Sequence, residues 1–231
     1  MSNEINFHYE YIFKLYLRLN GFLSSNLILH SPIKSNINSE IDIIACKMPY
    51  HFQSDRRVDE LISFNKNERI CILIADIKNV NKVDKVEFNK SLRNSNDSIT
   101  KLIEWLGLYK NINDELIEKF KQFLNHHNSI NNIDEFIGFN EDFEFGKINI
   151  VFTFFCPSLE KWNGKGYKYL NFDDVFDFIW KCLNTNDVIE TCAREYTLQG
   201  WNELKKYVDF FKDQKTKPTK EMFEEKIKNY R

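Results

Sequence analysis

The sequence predicts an α/β protein with a mixed central sheet flanked by helices and a mainly helical C-terminal extension. Short β-branched apolar runs at residues 40–45, 70–78 and 147–156 predict buried strands. Segments with helical spacing of apolar residues lie before, between and after these runs. The 231 residues include only 7 Gly and 4 Pro, so we expect helices and strands to dominate over long loops.

Composition narrows the class of protein. Hydrophobic residues make up 42% of the chain, which is enough for a sizeable core. A net charge of −2 argues against binding polyanions through overall charge, although local basic clusters can still contact nucleic acid. The cysteines are widely spaced, which indicates reduced thiols rather than disulfides or a zinc site. The chain lacks a signal-peptide pattern and an apolar run of spanning length, so we expect a cytoplasmic protein without membrane contact.

The first predicted element is a helix over residues 6–20. Asn20 and Gly21 predict its end, because glycine readily takes the left-handed conformation that follows many helices. A strand at 22–30 and a turn-rich connection at 31–39 should follow. The apolar positions with helical spacing, which should face the core, are Tyr9, Ile12, Phe13, Tyr16 and Leu19.

A charged excursion over residues 48–69 separates the strands at 40–45 and 70–78. Arg56 and Arg57 within it either contact a phosphate or belong to a solvated loop. Beyond the second strand, the predicted elements are a polar connection to residue 97, helices at 98–109 and 114–125, an irregular polar loop at 126–146 that includes His126 and His127, the strand at 147–156, a helix from Asn171 to Leu183, a helix at 201–211 and a weakly packed terminal helix within 212–231.

Charged side chains stand in two of the central strands. Asp42, Asp76 and Lys78 are costly to bury unless they are paired or bound to a metal. Side chains two residues apart in a strand share a face, so Asp76 and Lys78 should point the same way. Two carboxylates and an ammonium from adjacent strands could form a divalent-metal site with a charged group beside its water. The alternative is a set of strand-end charges that are merely solvated.

The order of these features resembles a known family. The features are a helix carrying Glu10, the sequence Asn20-Gly21-Phe22, the strand Glu40-Ile41-Asp42-Ile43-Ile44-Ala45 and the strand end Ala75-Asp76-Ile77-Lys78. In this order, residues 6–109 resemble the PD-(D/E)xK nuclease superfamily, which has the restriction-endonuclease-like fold. Asp42 matches the first acidic position, and Asp76 and Lys78 match the (D/E)-x-K motif. The chain departs from the pattern in lacking a proline before Asp42, in using Asp where Glu is commoner, and in its long 48–69 insertion.

The resemblance implies a metal-dependent endonuclease that hydrolyses DNA phosphodiester bonds. Asp42, Asp76 and the Ile77 carbonyl would hold Mg²⁺ or Mn²⁺, and Lys78 would orient the attacking water. Glu10 would bind a second metal or position water, or else it is an ordinary carboxylate in the first helical turn. Glu40 is a reserve ligand or a solvated charge at the strand end.

Basic residues directly after the motif are the candidates for nucleic-acid binding, and the alternative for them is a flexible charged loop. They are Lys82, Lys85, Lys90 and Arg93. Lys101 occupies a position where the superfamily sometimes places an extra basic residue. The sequence contains no helix-turn-helix or zinc-finger motif that would read DNA sequence.

The expected organisation is a nuclease-like core over residues 1–157 and a helical extension over 158–231 that packs on it. These C-terminal helices could bind a protein partner or form a homodimer. The principal functional hypothesis is a DNA nuclease acting as an effector of bacterial anti-phage defence. One alternative is a catalytically inactive nuclease-like scaffold that serves as a binding or regulatory subunit. Another is an RNA-directed nuclease.

Overall fold

A mixed sheet organises the chain in the computed structural model, which describes residues 2–30, 37–51, 68–125, 137–164, 167–184 and 201–229. Within these residues the sheet has six strands in the order β1-β2-β3-β5-β4, and β6 pairs with β5. The strands are β1 (Leu23–His30), β2 (Ile37–Lys47), β3 (Ile70–Ile77), β4 (Ile137–Phe143), β5 (Gly146–Cys156) and β6 (Tyr169–Asn171). The β3–β5 and β5–β6 pairs are parallel, and the other pairs are antiparallel.

Seven helices of the described residues flank this sheet. They are α1 (Ser2–Leu19), α2 (Lys90–Asn94), α3 (Asn96–Leu106), α4 (Asp114–Leu124), α5 (Phe172–Leu183), α6 (Asn202–Lys212) and α7 (Lys220–Ile227). The predicted α/β class with a mixed sheet is therefore confirmed.

The first core cluster lies between one face of the sheet and helices α1, α5, α6 and α7. All five predicted core positions of α1 are buried, as expected. Leu15 and Leu17 are also fully buried, so α1 is covered on more sides than one amphipathic stripe would require. The reason is that α5 and α6 pack on α1 in addition to the sheet. Helix α1 is thus a central element of the fold.

The second core cluster covers the opposite face. Ile72 and Ile74 of β3 pack there with Ile150 and Phe152 of β5 against helices α2, α3 and α4. The chain needs a long crossover to connect the parallel strands β3 and β5, and these helices form part of that crossover. Both faces of the central strands are therefore buried, which explains why β3 and β5 are almost continuously apolar.

The predicted irregular loop at 126–146 is wrong in its second half, where the chain forms β4. This strand pairs with β5 as an antiparallel hairpin through the Glu144–Phe145 turn. Asn140, Glu141 and Asp142 hide the strand in the sequence, because these residues are poor strand formers. They are tolerated because the strand lies at the edge of the sheet and these side chains are only partly buried or exposed. His126 and His127 lie outside the described residues.

The C-terminal tail is also better packed than predicted. Phe223 of α7 is fully buried and Ile227 is nearly so, both in the cluster around α1. Pro218 precedes the helix, and the Thr219 side chain caps it by accepting a hydrogen bond from the Met222 N–H. Alternating charges in this tail therefore mark the solvated side of a docked helix.

The described part of residues 158–231 is joined to the rest of the chain through both the sheet and the core. The predicted division at residue 157 falls between β5 and β6, which hydrogen bond to each other, and it stays a prediction. On helices α5 to α7, Met222 is the only exposed large apolar side chain, so the predicted partner or homodimer contact there also stays a prediction. Most of the 48–69 excursion, with Arg56 and Arg57, lies outside the described residues. Among those described, no helix is both long and apolar enough to cross a bilayer.

Candidate active site

Pairing between β2 and β3 stops where the charged side chains begin. The two strands pair from Lys47–Cys71 to Ile43–Ala75. One residue further, the Asp42 N–H donates to Asp76 Oδ1 at 3.4 Å, and the Ile77 N–H donates to Asp42 Oδ2 at 2.7 Å. Carboxylate oxygens thus replace the carbonyl oxygens of a regular ladder. The arrangement brings the two predicted acidic residues together at the end of the strand pair.

A β-bulge in β2 sets the direction of Asp42. Ser25 of β1 pairs with Ile44, but Leu27 pairs with Ile41, so β2 has one extra residue at this point. Ile41 packs in the second core cluster and Ile43 in the first, although residues two apart in a regular strand share a face. Bulges re-aim side chains in this way and are frequent beside active sites.

Asp76 and Lys78 form an ion pair on one side of β3, as the alternation of strand side chains predicted. Asp76 is only 1% exposed, and Lys78 Nζ lies 2.9 Å from its Oδ2. Apart from this ion pair, the buried Asp76 Oδ2 accepts no hydrogen bond within the described residues. The Lys78 N–H donates to the Phe155 carbonyl at 2.9 Å, which fixes the backbone of Lys78 against β5.

The electrostatics of the site favour a bound cation. Burial raises the pKa of Asp42 to about 7, and the neighbouring Asp76 carboxylate adds to the effect, against the opposing Ile77 N–H and Lys78. Burial likewise raises the pKa of Glu10, with Lys14 opposing the shift and Glu40 adding to it. Carboxylates that influence each other in this way are stabilised in their charged forms by a nearby cation.

Glu10 approaches the site from the middle of α1, and not from its first turn, where the alternative interpretation as an ordinary carboxylate placed it. The Asn26 side chain donates to Glu10 Oε2 at 3.5 Å and accepts a hydrogen bond from Lys14. Asn26 is the β1 residue opposite the bulge at Asp42. Glu10 is therefore linked to the same part of the sheet as the two aspartates. Glu40 is exposed, and its charge contributes to the raised pKa of Glu10.

Asn89 is a site residue that the sequence analysis missed. Lys78 Nζ donates to Asn89 Oδ1 at 3.2 Å, and Asn89 Nδ2 donates to the Glu40 carbonyl at 3.4 Å. Asn89 is the N-cap residue of α2, but its side chain makes no capping hydrogen bond. In the sequence, an Asn before a helix indicates a helix cap, so nothing in the local sequence distinguishes Asn89 from an ordinary cap residue.

The predicted nucleic-acid-binding residues fall into two groups. Lys82, Lys85 and Lys90 are exposed and have no side-chain partner within the described part of the chain. Arg93, in contrast, pairs with Glu87 at 2.6 Å and donates to the Phe88 carbonyl at 3.1 Å.

Lys101 makes its hydrogen bonds away from the candidate site. Its ammonium donates to the His30 carbonyl at the end of β1 and to Asp97.

The donor set fits a hard divalent cation in part. Asp42 and Asp76 supply oxygen ligands, and a bound ion would share Asp76 Oδ2 with the Lys78 ammonium, which lies 2.9 Å from it. Among the described residues, however, no three His, Cys, Asp or Glu side chains are grouped closely enough to hold an ion. A metal here would therefore depend on two carboxylates, a backbone carbonyl, water and substrate oxygens, which is a coordination that Mg²⁺ accepts.

A cleft of about 720 Å³ opens at the carboxyl end of β5, where Ser158 and Lys220 form part of its wall, and neither Asp42, Asp76 nor Lys78 lines it. Ser158 Oγ hydrogen bonds to the side chain of Asn79, the residue after Lys78. Ligands of open α/β sheets commonly bind outside the carboxyl ends of the parallel strands. The candidate site and the cleft thus lie at the same end of the parallel strands β3 and β5.

Comparison with known proteins identifies no matching family model, no matching curated protein and no matching solved structure. The resemblance to the PD-(D/E)xK superfamily therefore depends on the motif residues and the order of elements alone.

Proposed function

We propose that this chain is a Mg²⁺-dependent nuclease with a restriction-endonuclease-like core that hydrolyses phosphodiester bonds in DNA. The observation that supports it best is the convergence of Asp42, Asp76 and Lys78 at the point where β2 and β3 stop pairing. Asp42 lies 34 positions before Asp76 and 36 before Lys78 in the chain, so local sequence effects do not explain why they meet. The element order α1-β1-β2-β3, followed by helices and a parallel β5, also supports the proposed core.

Each residue has a role that follows from its position. Asp42, Asp76 and the Ile77 carbonyl would hold the ion, which supplies Lewis-acid polarisation of the phosphate and a more acidic water. Lys78 would orient the attacking water and stabilise negative charge on the reacting phosphate. Asn89 holds the Lys78 ammonium by a hydrogen bond and thereby limits where it can point. Glu10 would position water or contribute to a second ion.

The substrate would approach across the exposed lysines that follow the site. Lys82, Lys85 and Lys90 have no competing side-chain partner within the described residues, so their charges are available for phosphates. Arg93 remains a proposed contact, although its present partner is Glu87. A role as an effector of bacterial anti-phage defence is the biological setting that the resemblance suggests.

A nuclease-like scaffold without catalysis is the second candidate. The specific observation in its favour is that no three ligating side chains are grouped around an ion position in the described part of the chain. In that case, the ion pair between Lys78 and Asp76 would be a structural contact that needs no metal.

Cleavage assays test the proposal. Wild type, Lys78→Ala and the control Lys121→Ala, which alters a surface ion pair on α4, are incubated with plasmid, linear duplex, single-stranded DNA and RNA. Each substrate is tested with Mg²⁺, Mn²⁺ or EDTA. We expect cleavage that requires a divalent cation, a loss of about 100-fold or more in Lys78→Ala, and no change in the control. Equal cleavage by wild type and Lys78→Ala would reject the assignment.

Calorimetry separates the two candidates when no cleavage is seen. The nuclease proposal expects Mn²⁺ binding by wild type that is lost in Asp76→Asn, a variant of nearly identical shape. A wild type that neither binds Mn²⁺ nor cleaves any substrate would favour the scaffold. RNA cleavage in the absence of DNA cleavage would change the substrate class and keep the metal site.

A further inference from the structure

A first polar path links helix α7 to the segment that follows the candidate active site. Lys220 Nζ donates to Ser158 Oγ at 2.6 Å, and Ser158 in turn donates to Asn79 Oδ1. Asn79 directly follows Lys78 in the chain. A side chain near the C-terminal end of the sequence is therefore linked, through one hydroxyl group, to the backbone that carries the proposed catalytic lysine.

A second path starts one helical turn further along α7. The buried Tyr9 hydroxyl donates to Glu224 Oε1 at 2.7 Å, and Tyr9 directly precedes Glu10. The Tyr9 ring packs against the rings of Phe155 and Phe223, with centroid distances of 5.8 and 5.7 Å. Phe155 is also the residue whose carbonyl accepts the Lys78 N–H. The second path therefore leads to the residue before Glu10 in α1 and to the β5 residue that bonds the Lys78 backbone.

The two paths meet on the helix itself. Lys220 Nζ lies 3.8 Å from Glu224 Oε1, and both side chains are about one-third exposed or less. An eight-residue helix is not stable alone, so α7 depends on its contacts with the rest of the fold. The burial of Phe223 and Ile227 docks the helix, and its polar contacts are directional, so they favour one alignment.

From these contacts we infer that α7 is a positioning element of the active site, with Lys220 and Glu224 holding the segments that carry Lys78 and Glu10. The inference builds on the proposed function, because a positioning role in catalysis requires a reaction. Neither residue touches the proposed metal ligands directly. Their effect is on alignment, and small misplacements of catalytic groups lower the rate strongly.

The helix offers matched variants for the test. Lys220→Ala and Glu224→Ala remove the two contacts, whereas the controls Lys226→Ala and Glu225→Ala change exposed residues of the same helix. Tyr9→Phe removes only the hydroxyl and keeps the packed ring, and Lys220→Arg keeps a donor. For each full-length variant, kcat and KM are measured with Mn²⁺, and amide hydrogen exchange is followed in peptides covering residues 9–11 and 77–80.

We expect Lys220→Ala and Glu224→Ala to lower kcat about tenfold with KM unchanged, and Lys220→Arg to recover most of the loss. Exchange should accelerate at 77–80 in Lys220→Ala and at 9–11 in Glu224→Ala and Tyr9→Phe, while both controls match wild type. A kcat and an exchange pattern equal to those of the controls would overturn the inference. If wild type cleaves no substrate but exchange is still faster in the variants, the result would support the positioning of these segments and overturn the nuclease proposal.

Discussion

The two edges of β3 differ in a way that explains where the candidate site lies. On the β5 side, pairing is continuous from Ile70 to Ile77, and the Lys78 N–H adds one more bond to β5. On the β2 side, regular pairing ends at Ala75, and the next backbone donors turn to carboxylate oxygens. One edge therefore holds the strand in place, and the other presents side chains.

This difference teaches that the site depends on both edges. A rigid element holds its functional groups in a well-defined position. Here, continuous pairing with β5 makes the segment that carries Asp76 and Lys78 rigid. Residues on β5 should therefore govern stability, and residues at the open edge should govern chemistry. The following variants test that division, from the largest expected effect to the smallest.

Phe155→Ala should cause the largest loss of stability. Its side chain is fully buried in the cluster around α1, so the truncation leaves a cavity and should lower the free energy of unfolding by about 3–5 kcal/mol. The control is Phe145→Ala, because Phe145 lies in the β4–β5 turn and is 64% exposed. Its cost should stay below about 1 kcal/mol. Urea unfolding measures both, and similar losses would contradict the assignment of β5 as the rigid edge.

Asp42→Asn should change how stability depends on pH. The folded protein binds the Asp42 proton more tightly than the unfolded chain, since burial and Asp76 raise the pKa of Asp42 to about 7. In EDTA, the free energy of unfolding should therefore fall as pH rises from about 4 to about 7. The variant lacks this ionisation. At about pH 8, its free energy of unfolding should therefore exceed that of wild type by on the order of 2 kcal/mol.

Chemical denaturation at several pH values checks this, with Asp84→Asn as a control at an exposed aspartate. Mn²⁺ should stabilise wild type more at about pH 8 than at about pH 5, because protons compete with the ion for carboxylates. If the stability of wild type and of Asp42→Asn depends on pH in the same way, the surroundings of Asp42 do not raise its pKa.

Much of the rigid edge could be predicted from the sequence. The apolar run of β3 gave its position, and strand alternation placed Asp76 and Lys78 on one side, where they form an ion pair. The apolar run of β5 was equally clear. These features are local, because they depend on residue type and on a period of two.

The open edge could be predicted only in its principal residues. The bulge at Asp42 depends on how β1 pairs with β2, and the role of Asn89 depends on Lys78 and Glu40 meeting it in space. Likewise, one side of α7 is buried because it packs against the segment that carries Tyr9, from the other end of the chain. Such long-range contacts leave no periodic pattern in their own segment.

Asn89→Ala should have a smaller effect that is confined to catalysis. It removes the acceptor that holds the Lys78 ammonium, so kcat should fall about fivefold, corresponding to roughly 1 kcal/mol in the barrier. Thermal stability should change little, since the Asn89 side chain is exposed and does not cap α2. Asn94→Ala, at the exposed end of the same helix, is the control. A change in KM alone would assign Asn89 to substrate binding instead.

Replacing Lys82, Lys85 and Lys90 together by Ala should give the smallest effect on the site itself. The three side chains are exposed and would contact phosphates without touching the reacting group, so KM should rise about threefold while kcat is unchanged. The dependence of binding on salt should also weaken, because each lost phosphate contact releases about one counterion fewer. The matched control replaces Lys110, Lys215 and Lys228, which are exposed elsewhere. An equal change of KM in both triple variants would show that these lysines act only through the overall charge of the protein. The substrate would then have to reach Lys78 along a different surface, such as the cleft lined by Ser158.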